Sequence, residues 1–249
     1  MQIIKKIVKY ILGLLNLELH RKRLSKHFYY HVVQTLKNFK IDIVLDIGAN
    51  TGQFASTIID FGYKREILSF EPIEEAHRQL VINSKKYSYW RVYDRCGFGK
   101  KNETKMINIS KNSVSSSILD IKKKHTDIAP ESAVVKREKI KLITLDYFFD
   151  KEKIGKKKIF IKIDTQGYEK NIIIGSKKNI KKIKGFMVEL SIVELYKSEA
   201  LLFEMCKILD KLGFKIWAIE RGFTNKKTGQ VLQVDVIFIN KNEFDKKLL

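Results

Sequence analysis

Apolar and polar positions fall into two regimes along this chain. Over residues 2–19 the apolar side chains Ile3, Ile4, Ile7, Val8, Ile11, Leu12, Leu14 and Leu15 recur at helical spacing with Lys5, Lys6 and Lys9 opposite, which predicts an amphipathic basic helix. Its longest unbroken apolar run, residues 10–15, is far short of the roughly 20 needed to span a bilayer, and no small-residue cleavage site follows. The segment therefore reads as neither transmembrane nor secretory. Two readings stay open for it: a cap packed on the domain, or a helix lying in a membrane interface with its lysines toward anionic headgroups.

From Ile41 onward short apolar runs alternate with helical stretches, the signature of a parallel sheet flanked by helices. Strands are expected at 43–47, 66–70, 89–93, 159–163, 185–189, 215–219 and 233–239. The ten residues 221–230 between the last two are too few for a crossover helix, so those strands should pair antiparallel. The expected fold is thus α/β, a seven-stranded, mostly parallel sheet with an antiparallel C-terminal hairpin and helices on both faces. Residues 1–40 form an N-terminal helical segment, and residues 41–249 one domain. An insertion at 97–158 should carry a hairpin, 105–109 with 139–145, and a polar loop around Ser113 to Ser117.

The first strand runs into chemistry. Residues 44–52 read VLDIGANTG, a strand, a Gly-rich turn, and then a helix from about Phe54. In this reading Gly48 and Gly52 let backbone amides approach a ligand, and Asp46 can accept from a ligand ammonium. A dinucleotide turn wants G-x-G-x-x-G, but Ala49 and Asn50 follow Gly48, and no Gly-Lys-Ser/Thr makes a P-loop. The remaining D-x-G-x-x-x-G arrangement suits a cofactor without a pyrophosphate, which points to S-adenosylmethionine. Glu71 in SFEP, 23 residues after Gly48, ends the next strand where an acid suits two ribose hydroxyls, and Pro72 is expected in the first turn of the following helix. Further along, FIKIDTQGYE and MVELS bring Asp164 and Glu189 to the carboxyl ends of neighbouring strands. Two carboxylates converging there can act as base and orienter, or jointly hold a hard divalent cation.

Taken in order, VLDIGANTGQF, SFEP, NSVSSSIL, ITLDYFF, IKIDTQGYEKNIIIGS, MVELS with Tyr196, and the closing GF and VDVIFIN resemble the FkbM-type family of S-adenosylmethionine-dependent methyltransferases over about residues 39–240. The resemblance implies a class I, Rossmann-like methyltransferase fold and O-methylation of sugars or polyketides, commonly alongside glycan assembly. It assigns Asp46, Gly48, Asn50, Gly52 and Glu71 to the cofactor, and matches Asp164, Gly167 and Glu169 to a D-x-x-G-x-E signature. Gln166 stands where many relatives carry Glu, and is therefore kept off the catalytic pair Asp164 and Glu189. Ser116 and Ser117 read as part of a lid over the cofactor or acceptor.

Charge widens the choice of acceptor. Lys and Arg number 49 against 28 Asp and Glu, a formal net charge of +21, yet only eight of the basic residues are Arg. Such a field attracts polyanions, so an RNA methyltransferase is the rival reading. Against it, Pro72 and Pro130 are the only prolines, which excludes an Asn-Pro-Pro-aromatic motif, and arginine forks for phosphate or base recognition are scarce. A third reading is a silent cofactor fold that docks on membranes through its first helix. Cys96 and Cys206 stand alone, which fits a reducing, cytoplasmic setting, and His27 with His31 makes a surface pair rather than a zinc site. The expected partners are a glycan or small-molecule hydroxyl acceptor and an anionic membrane surface, with nucleic acid disfavoured.

Overall fold

The computed structural model describes residues 27–248. The amphipathic helix expected at 2–19 lies outside the described residues. No helix among them is long and apolar enough to cross a membrane.

Seven strands form one sheet in the order β3-β2-β1-β7-β8-β10-β9. Its centre is built from β1 (Ile43–Ile47), β2 (Glu66–Phe70), β7 (Ile159–Ile163) and β8 (Ile183–Ser191), all parallel, with β3 (Trp90–Val92) parallel at one edge. β10 (Gln233–Asn240) and β9 (Phe214–Arg221) add antiparallel at the other. Every residue of β1 and of β7 is buried, as strands covered on both faces must be. Ile43, Leu45 and Ile47 feed one core layer, shared with α5 (Leu145–Glu152), α6 (Glu169–Ile174) and α7 (Leu202–Lys211); Val44 feeds the other, under α1 (Phe28–Asn38) and α2 (Gln53–Asp60). Val32, Val33 and Leu36 of α1 are fully buried in that second layer. Strand order reverses between the parallel neighbours β1 and β7, which leaves a crevice at their carboxyl ends, where ligands of open α/β sheets bind.

The insertion folds into a second sheet, β4 (Gly97–Phe98), β6 (Val134–Ile143) and β5 (Glu103–Ser110), with α4 (Lys123–Ile128) between β5 and β6. The expected hairpin is present, with Lys105 opposite Ile140 and Met106 opposite Lys139. Its second strand stops at Ile143 rather than 145, because the Thr144 side chain accepts from the Tyr147 amide and caps α5. Pro72 does not enter a helical turn: α3 (Glu74–Ser84) starts after an extended N-cap at Ile73. α8 (Lys241–Leu248) closes the described chain.

Candidate functional site

Strand register builds the site. Asp46 of β1 has Ser69 of β2 and Lys162 of β7 as its cross-strand neighbours, so the three form a polar row across the middle of an apolar face. Asp46 is wholly buried; its Oδ2 accepts from Ser69 Oγ at 3.1 Å, and Ser69 in turn accepts from Trp90 Nε1 at 3.0 Å. Lys162 Nζ stands 3.4 Å from Asp46 Oδ1, an ionic contact rather than a directed hydrogen bond, 3.4 Å from Asp164 Oδ2, and 3.1 Å from the Gly48 carbonyl oxygen. Burial alone would pull the Lys162 ammonium down, but Asp164 and Asp46 outweigh it and hold the group above its usual value. Asp46 is itself pushed up by burial, which Lys162 and Ser69 only partly offset.

The glycine turn packs against this row. Gly48 has φ +73°, and a Cβ there would come within 1.9 Å of the Asp164 carbonyl oxygen. Gly52, with φ +96°, would drive a Cβ to 2.6 Å from the Trp90 ring. Their bare backbones thus make room for protein, Asp164 and Trp90, where the sequence reading assigned the room to a ligand. Asn50, itself at φ +48°, donates its amide to Glu71 Oε2 at 2.8 Å, while Glu71 Oε1 accepts from the Ile73 amide at 2.9 Å. Burial pushes Glu71 up to about 7 against the pull of those two amides.

After β7 the chain makes a tight loop. Glu169 Oε1 accepts from the Thr165 amide, the Thr165 hydroxyl and the Gly167 amide at 2.9 to 3.1 Å, so this buried acid holds the loop rather than facing a ligand. Gln166, in the left-handed region at φ +55°, is pinned by Ser117 Oγ on its carbonyl at 2.6 Å and by Tyr196 OH on its Oε1 at 2.7 Å. Its Nε2 donates to Asp164 Oδ1 at 2.7 Å and to Glu189 Oε2 at 2.6 Å. The amide set aside by sequence reasoning therefore occupies the bridging place that a shared cation would take. Among the described residues no three His, Cys, Asp or Glu side chains are grouped as metal ligands.

These parts surround a cavity of about 310 Å³. One end is apolar, walled by Phe70, Ile73 and Phe98 and by Ile107, Ile140 and Leu142 of the insertion sheet. The other end holds Asp164, Glu189 and three groups that sequence reasoning missed, Lys162 of β7, Asp235 of β10 and Tyr29 of α1. Of the expected cofactor residues Gly48, Asn50, Glu71 and Ser116 line the cavity, while Asp46, Gly52 and Ser117 stand behind its wall. The serine loop is folded against the core: Ser115, Ser116 and Ser117 are buried, Asn108 and Ser117 exchange backbone hydrogen bonds, and Ser113 Oγ accepts from Asn50 Nδ2 at 3.2 Å. Burial first and Asp164 second push Asp235 up to about 7; burial, Asp164 and Asp235 push Glu189 well above the carboxylate range. Tyr29 rises to about 12 through burial and Asp235.

The lining fits S-adenosylmethionine. An apolar chamber suits an adenine ring, Glu71 keeps acceptor lone pairs for hydroxyls, and four carboxylates against one lysine suit a ligand bearing a sulfonium and an ammonium. Sheet order, glycine turn and strand-end acids together define a class I, Rossmann-like methyltransferase. The sequence model of the methyltransferase FkbM domain matches residues 46–216, well over half of the chain, and the protein belongs to that family. Similar solved structures include the precorrin-6y C5,15-methyltransferase of Geobacter metallireducens, 12% identical over 90% of this chain and 93% of that one at a TM-score of 0.42. Another is the 1,6-didemethyltoxoflavin-N1-methyltransferase of Burkholderia thailandensis with bound S-adenosylhomocysteine, 8% identical over 85% of this chain and 78% of that one at 0.44. No curated protein matches the sequence.

Proposed function

We propose that the chain is an O-methyltransferase that methylates a hydroxyl of a sugar in a surface glycan or related glycoconjugate, with residues 41–249 as its catalytic domain. The observation that carries this reading is the acid end of the cavity, where Asp164, Glu189 and Asp235 converge as hydrogen-bond acceptors. Such a wall receives hydroxyl donors and repels phosphate, so the basic exterior does not make nucleic acid the acceptor. S-Adenosylmethionine, when bound, would supply an electrophilic methyl for the acceptor oxygen, with sulfur as the leaving group that keeps the electron pair.

The chain's own groups then align the acceptor and take its proton. Asp164 is held on both oxygens, by a hydrogen bond from Gln166 and by the ionic contact with Lys162, which suits it to orienting the hydroxyl. Glu189 Oε1 is open, because its amide donors Gln166 and Gln233 both sit on Oε2, so Glu189 is the better placed proton acceptor. The serine loop, tied to the glycine turn through Asn50, excludes water, and alignment can supply on the order of 7–11 kcal/mol of barrier reduction.

The test is release of S-adenosylhomocysteine from S-adenosylmethionine with neutral oligosaccharides, and separately with bulk RNA. A glycan product heavier by one methylene is expected; salt-sensitive methylation of RNA without a glycan product would overturn the reading. Full turnover by Asp164→Asn would remove that residue from the mechanism.

A further inference from the structure

Four carboxylates line the cavity against one lysine, and Lys162 is already committed to Asp46, Asp164 and the Gly48 carbonyl. Backbone amides of Asn50 and Ile73 occupy Glu71. Glu189 and Asp235 are left without a cation. They are cross-strand neighbours in register on β8 and β10, at the carboxyl end of the face covered by α1 and α2. The Asp235 carboxylate receives no hydrogen bond and no ion pair from any described residue, and no described residue donates to Glu189 Oε1.

The charged groups that face this pair come from every neighbouring element. Lys162 lies on β7, Asp164 follows it, Glu169 is on α6, Glu220 on β9, and the Tyr29 hydroxyl on α1. Three of these five are acids, and the one cation is spoken for. Two adjacent carboxylates, each half-buried in the cavity wall and set among other acids, do not both stay charged readily without a positive partner. The directions agree, with Asp235 pushed up to about 7 and Glu189 further above its ordinary range.

We propose that Glu189 and Asp235 together are the counter-ion of the cofactor's sulfonium, sharing a proton until that positive charge arrives and giving it to solvent on binding. The inference rests on the S-adenosylmethionine reading above. It makes cofactor binding the event that frees the pair to act as base. During transfer the acceptor's hydroxyl proton passes to the pair as the methyl carbon exchanges its bond to sulfur for one to oxygen. One positive and one negative charge disappear together, and the product complex holds the same proton as the empty site.

S-Adenosylhomocysteine lacks only the transferred methyl and the positive charge, so comparing the two ligands isolates the sulfonium. Calorimetric titration of the full-length protein with each, in phosphate, HEPES and Tris, counts protons from the buffer dependence of the enthalpy. S-Adenosylmethionine should release up to about one proton near pH 7 and S-adenosylhomocysteine none, with the affinity ratio between them rising by at most about tenfold per pH unit. Asp235→Asn should lower the proton count and flatten that ratio while leaving S-adenosylhomocysteine affinity within about threefold, a difference under about 0.7 kcal/mol. Where the variant fails to fold, the proton counts of the wild-type protein decide. Equal release by the two ligands overturns the proposal. Binding of neither overturns the cofactor reading, and the proposal with it.

Discussion

Replacing Lys162 by Met tests whether the buried ionic row holds the fold together. The lysine is 7% exposed and Asp46 wholly buried, so water does not screen their interaction. Methionine keeps most of the volume but removes the positive charge, which leaves Asp46 with Ser69 as its remaining hydrogen-bond donor and Asp164 with Gln166. Breaking a buried pair from one side typically costs about 3–5 kcal/mol, or about 6–20 °C in melting temperature for a chain of this size. The loss should depend on pH. Asp46 already sits above the ordinary carboxylate value because of burial, and losing Lys162 raises it further. A group that binds its proton more tightly folded than unfolded stabilises at low pH and costs stability as pH climbs through its folded value. Urea unfolding should therefore show the largest deficit at about pH 8 and a smaller one at about pH 5. Asp46→Asn in the Lys162→Met background should recover part of the loss at the higher pH. A single variant within about 1 kcal/mol of wild type at pH 8, or a deficit equal at both pH values, would refute the reasoning.

Other outcomes follow from the same geometry. Gly48→Ala places a Cβ 1.9 Å from the Asp164 carbonyl oxygen in a left-handed backbone, so it should cost more than the about 1–2 kcal/mol of φ strain alone and abolish cofactor binding in a titration. Tyr196→Phe removes the hydroxyl on Gln166 Oε1 and the Ser115 carbonyl; thermal unfolding should show a loss of about 1–3 kcal/mol, and an unchanged melting curve would deny Gln166 its buttress. Ser116→Ala with Ser117→Ala should weaken both cofactor affinity and turnover, and no change in either would end the lid reading. Deleting residues 1–19 should abolish flotation with anionic liposomes if the basic amphipathic pattern docks there, and continued flotation would rule that out.

Much of the fold was legible because its central strands have nowhere to hide. β1, β2 and β7 read as apolar runs bounded by turn residues, and the short link between the last two strands fixed their antiparallel pairing. β4 escaped notice because two residues carry no periodicity. Lys162 was passed over as an ordinary lysine, although a central parallel strand has no solvent face for it. The signal was Asp46, an acid equally out of place in an apolar strand and the register partner of Lys162. Asp235 was hidden in the same way within VDVIFIN, and Tyr29 reaches the cavity from a helix that precedes the first motif and carries none itself. Gln166 was discounted for departing from the family pattern, yet an amide donates to two carboxylates at once, which an ionised Glu cannot do.

The central claim is that this cavity binds S-adenosylmethionine. The most direct test is calorimetric titration of purified, cofactor-free protein with S-adenosylmethionine and, in parallel, with NAD. Micromolar binding of the former alone is expected. Binding of NAD instead, or of neither ligand, would contradict the account.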